Sequence, residues 1–132
     1  MTRASGTFTL TSTPHPPYDT EPGATLGRVT FKKQFEGALT ATSVVEMLSA
    51  MTEINGSAAY VALERVKGTL DGRSGSFVLS HIGIMKRGTS SLSVSVVPDS
   101  ATHELTGLHG DMEIKIADGV HSYVFEYSLE GE

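Results

Sequence analysis

Apolar and polar side chains alternate along most of this chain, in runs separated by glycine, and a two-residue period marks strands with one buried face. Phe8 and Leu10 alternate with threonines; Phe77, Leu79 and His81 share one parity, as do Tyr123, Phe125, Tyr127 and Leu129. The segments between the glycines are rich in Val, Ile, Thr, Phe and Tyr, the residues that suit a pleated, half-buried surface. The pattern predicts strands over residues 5–11, 25–36, 38–52, 58–70, 76–86, 90–97 and 121–129, with a further strand made of 104–108 and 112–116 and broken near Gly110. Pro14, Pro16, Pro17 and Pro22 mark a loop after the first strand. Asn55-Gly56 is the strongest hairpin signal, since both residues accept positive φ in a two-residue turn. Residues 42–51 contain good helix formers, but Gly37 and Asn55-Gly56 bracket them and the next segment matches their length, so they read as strand. The expectation is all-β: one domain over 1–132, closed as an antiparallel up-and-down barrel of about eight strands.

Side-chain direction follows from the turns, because alternate residues face opposite sides. A two-residue turn at Asn55-Gly56 sets Met51 opposite Tyr60, Met47 opposite Glu64 and Val45 opposite Val66. On the other face it sets Leu48 opposite Leu63 and Glu46 opposite Arg65, an outward ion pair. The apolar face, assigned to the interior, carries Val29, Phe31, Phe35, Leu39, Ala41, Val45 and Met47. In the later strands Leu92, Val94, Val96, Met112, Ile114 and Ile116 also point inward. Three polar positions of this inward parity stand out: Lys33, Glu64 and His81. Glu64 and His81 are expected as diagonal neighbours within hydrogen-bond reach. A buried carboxylate must be paired, so the two form either a satisfied structural couple or a site.

Composition narrows the function classes. The net charge of −5, with ten scattered basic residues, argues against nucleic acid or an anionic membrane as partner. The chain has no cysteine, which removes disulfides, thiolate catalysis and Cys-based zinc sites. No apolar run approaches the roughly 18 residues of a membrane span, and the amino-terminal stretch lacks a leader's apolar core, so a cytoplasmic location is expected.

Of the five histidines, His15, His103 and His121 read as loop or strand-end residues, and His109 as a structural or exposed residue in preference to one lining a barrel mouth. No His-x-His occurs, and neither metal nor cofactor is expected. Gly72-Arg73-Ser74-Gly75 is a turn and not a nucleophile elbow, because it leads into a strand. Glu46 and Glu64 fall on opposite faces and cannot flank one substrate.

The run 62–79 (ALERVKGTLDGRSGSFVL) with His81, together with Ala4 to Phe8, Val97-Pro98, Glu104-Leu105, Gly107-Leu108 and Tyr127, resembles the domain-of-unknown-function 3224 family over nearly the whole chain. The resemblance implies a barrel similar to allene oxide cyclase and supplies no catalytic residues. Members of the family often carry an aromatic in the sixth strand. Ser91-Leu92-Ser93 has none, which implies either more internal space or a different pocket lining.

Two further expectations concern ligands and partners. A small, largely apolar ligand would enter a cavity lined by Phe31, Met47, Tyr60, Glu64, His81, Tyr123 and Phe125. The alternatives are a packed structural or oligomerisation module, and an isomerase- or cyclase-like enzyme using Glu64 and His81 as an acid/base pair. Separately, Val44, Leu48, Ala50, Val61 and Leu63 form an outward apolar stripe, which predicts a homodimer through the face of Leu48, Val61 and Leu63.

Overall fold

The computed structural model describes residues 1–130. Eight strands run in chain order: β1 (Thr2–Pro14), β2 (Ala24–Gly37), β3 (Leu39–Thr52), β4 (Ala58–Leu70), β5 (Arg73–Lys86), β6 (Thr89–Val96), β7 (Leu108–Ala117) and β8 (Val120–Leu129). Each pairs antiparallel with the next, and β1 pairs with β8 from Thr2↔Tyr127 to Phe8↔His121, which closes the barrel. The 42–51 segment is strand, as its brackets require. Residues 104–107 are not: His103–Leu105 forms a single 3-10 turn, and β7 then runs from Leu108 through Gly110 opposite Tyr127 without a break.

The β3–β4 register differs from the expected one by two residues. The connection is a four-residue loop, with Thr52 N–H bonded to Ser57 O and Ser57 N–H to Ile54 O. Thr52 drives this choice. Its Oγ1 accepts the Ile54 N–H and lies 2.7 Å from Ser57 O, so the turn begins earlier, with positive φ at Gly56 and not at Asn55. Met47 therefore faces Ala62, Val45 faces Glu64, Leu48 faces Val61 and Met51 faces Ala58. A slip of two preserves every face. It does displace the predicted ion pair: Glu46 lies opposite Leu63 and takes its cation from Arg28 on β2, at 3.0 Å.

The two ends of the barrel differ. The end containing the Gly37–Ala38 and Asp71–Gly72 turns is packed shut. Phe35 meets Tyr123 edge-on at 5.6 Å, and Phe125 stacks between Phe77 and Tyr127 at 5.9 and 5.3 Å. Leu105, on the 3-10 turn, caps this core with 1% exposure. At the opposite end, bounded by the 53–56 loop and the Asp118-Gly119 turn, inward-parity Met51, Met85 and Leu92 are exposed.

The seam between β6 and β7 is thin. Its ladder has one residue pair, Ser95↔Asp111, supported by Ser95 Oγ donating to Asp111 Oδ1 at 2.8 Å. By contrast, β5 and β6 pair continuously from Leu79↔Val96 to Lys86↔Thr89. Leu92 and Ile116, expected in the core, flank this seam near the open end and are 46% and 67% exposed.

Candidate functional site

Strand alternation places Ser43 on β3, Glu64 on β4, His81 on β5 and Lys33 on β2 inside the barrel, midway between its packed and open ends. Glu64 is fully buried, yet both its oxygens are occupied. Lys33 Nζ and His81 Nε2 donate to Oε1 at 3.3 and 2.8 Å, and Ser43 Oγ donates to Oε2 at 2.6 Å. Ala62↔His81 and Glu64↔Leu79 are ladder partners, so the Glu64–His81 contact is the diagonal one between adjacent strands. Burial pushes the Glu64 carboxyl up, but the His81 hydrogen bond, the Lys33 charge and the Ser43 hydroxyl outweigh it and hold the group below the ordinary value of 4.5. The Lys33 ammonium also lies 4.7 Å from the centre of the Phe8 ring and 5.8 Å from that of Phe35, contacts that compensate part of its lost hydration.

This arrangement fixes one tautomer. An ionised carboxylate only accepts, so His81 presents its Nε2–H to Glu64. Nδ1 of His81 has no partner among the described residues. No buried polar side-chain atom among those residues lacks one, so Nδ1 is not fully sealed. Glu64 thus orients an imidazole whose other nitrogen is available.

Above this layer lies a mouth cavity of about 800 Å³. Val29, Met47, Met51, Tyr60, Met85 and Leu92 provide its apolar wall, and Ser49, Ser57 and Ser90 add hydroxyls. Its floor follows from strand geometry: Met47 lies two residues from Val45, Tyr60 two from Ala62 and Gly83 two from His81, about 6.6 Å of strand each. Gly83 has a specific role here. A Cβ on it would come within 2.2 Å of Tyr60 Cε1, so the bare backbone provides the bed on which the Tyr60 ring lies. Burial raises the Tyr60 phenol above its usual range, so its hydroxyl keeps its proton.

Of the residues predicted to line a pocket, Met47 and Tyr60 line the mouth, while Glu64 and His81 lie beneath it. Phe31 points inward beside Val45 and is half-buried, outside the mouth lining. Tyr123 and Phe125 are not brought to this site; both lie in the packed end. Tyr123 has a structural task there: its hydroxyl accepts the Leu39 N–H at 2.9 Å and donates towards Glu36 O and Leu39 O, at 3.0 and 3.2 Å, pinning the β2–β3 turn. Ser43 is the site residue that the sequence reading missed. Its signal was a small hydroxyl at inward parity between Ala41 and Val45.

A family model described as "Protein of unknown function (DUF3224)" matches residues 4–127. The crystal structure of a protein of unknown function from the DUF3224 family of Shewanella oneidensis MR-1 is similar, with 50% sequence identity and a TM-score of 0.93, covering 98% of each chain. No functionally curated protein matches.

Proposed function

This chain belongs to the DUF3224 family of proteins of unknown function, and from that premise we propose that it is a cytoplasmic binding barrel for one small, largely apolar ligand. The ligand's apolar body occupies the open end, and its single hydrogen-bond donor is directed to His81 Nδ1. The observation that carries this reading is the mouth cavity. Its volume of about 800 Å³ falls within the range of small-molecule sites, which combine apolar walls with a few fixed polar groups. The alternative of a barrel packed shut by its own side chains fits only the end around Phe77, Phe125 and Leu105. Glu64 is poorly suited to general-acid work, because three donors keep it ionised. Its role in this reading is to hold the His81 ring.

The test uses an amphiphilic fluorescent probe with an apolar aromatic body, 1-anilinonaphthalene-8-sulfonate, titrated into the wild-type protein and into Leu92→Trp, which fills the mouth. The expected result is saturable one-to-one binding by the wild type, weakened at least tenfold in the variant. Absence of wild-type binding, or equal binding by both proteins, would overturn the proposal.

A further inference from the structure

The outer surface of β3, β4 and β5 carries an apolar face that the barrel itself leaves uncovered. Register places Leu48, Val61 and Ile82 side by side in one cross-strand row, and Ala50, Ala59 and Ile84 in the next. Leu63 extends the face towards the packed end, between Glu46 and Ser80. These are large side chains left in water: Leu48 is 45% exposed, Val61 50%, Leu63 59%, Ile82 53% and Ile84 52%. Scattered surface aliphatics are normal, but adjacent rows of them mark a contact surface.

We infer that this face is the interface of a two-fold homodimer, with a second copy of the chain as its occupant. Size is the first argument. Three rows on three strands give nine positions of about 30 Å² each, from spacings of roughly 4.8 Å between strands and 6.6 Å between same-face residues, or about 300 Å², seven of them apolar and the other two Glu46 and Ser80. One further row at each end of the same three strands brings the footprint to about 500 Å² per partner, or about 1,000 Å² in total, the size at which a specific interface begins. Charge is the second argument. The carboxylate within the face, Glu46, is already neutralised by Arg28 of the same chain at 3.0 Å. A partner therefore need not supply a charge, and an identical neutral apolar face is complementary to it. The form of the surface is the third argument: the outside of a barrel cannot enclose a small molecule, whereas two such faces pack as sheet on sheet. Closed two-fold pairing is also the commonest solution for a surface that matches itself.

Sedimentation equilibrium of the full chain tests this. The wild type should give twice the 14.0 kDa chain mass at 10 µM and above, and Val61→Glu should give the single-chain mass with an unchanged far-ultraviolet spectrum. If Val61→Glu fails to fold, Ile82→Lys on the neighbouring strand tests the same contact. A wild type at the single-chain mass at 100 µM overturns the inference, as does a folded variant that retains the double mass. A single-chain wild type that pellets with phosphatidylcholine vesicles assigns the face to a lipid surface and equally overturns it.

Discussion

Replacing Glu64 by Gln keeps the shape of the side chain and removes its charge, which isolates the electrostatic part of the interior network. Lys33, with only 8% of its side chain exposed, would lose its counter-charge and keep two aromatic ring contacts. Removing one partner of a buried ion pair costs about 3–5 kcal/mol, because the remaining charge is left uncompensated. With a urea slope of about 2 kcal/mol per molar, that lowers the unfolding midpoint by about 1.5–2.5 M. Lys33→Met should cost less, about 1–3 kcal/mol, because His81 and Ser43 still donate to the carboxylate. The double variant should fall short of the sum of the singles by about 2–3 kcal/mol, the upper end of the coupling that neighbouring residues show. The assay is urea unfolding followed by far-ultraviolet circular dichroism, since the chain has no tryptophan. A Glu64→Gln loss under about 1 kcal/mol, or a double variant as unstable as the sum of the singles, would refute this account of the network.

Three further outcomes are expected. Because the folded state holds the Glu64 carboxyl below 4.5, its stabilisation should be complete above that pH and disappear as pH falls below it; unfolding midpoints measured from pH 7 to pH 3 should therefore decline more steeply for the wild type than for Glu64→Gln. Tyr123→Phe leaves the buried Leu39 N–H without an acceptor and should cost about 1–3 kcal/mol by the same assay, whereas a neutral result would mean that the hydroxyl does not pin the β2–β3 turn. Gly83→Ala forces the Tyr60 ring off its bed into the mouth, with an expected cost of about 1–3 kcal/mol and weaker binding of the anilinonaphthalene probe; unchanged binding would show that Tyr60 does not shape the cavity.

The sequence made the direction of side chains legible, but not their height along the barrel. Lys33, Glu64 and His81 stood out as charged or titratable residues at inward parity, and the error at the 53–56 loop could not disturb them, because a two-residue slip leaves each side chain on its own face. Height depends on strand stagger, which alternation does not encode. For that reason Tyr123 and Phe125 were grouped with Tyr60, although they lie in the packed end. The Glu46 cation was misassigned for a related reason: the slip moved Arg65 two residues away, and Arg28 on β2 was nearer. Ser43 was illegible because a small hydroxyl at an inward position is common and says nothing of its partner. The exposure of Leu92 and Ile116 follows from how β6 meets β7, a tertiary property that neither strand's own pattern contains.

That meeting has a mechanical consequence. Cut at β6 and β7, the barrel becomes a rolled ribbon whose free margins are those two strands, fastened by the Ser95–Asp111 clasp, while β1 and β8 lie inside the ribbon. Releasing the clasp breaks one ladder pair and one side-chain hydrogen bond, far less than global unfolding requires. Amide exchange should therefore be fastest along β6 and slow along β3 and β4. A molecule too wide for the open end would then reach the His81 ring from the side, while the other seven seams stay closed.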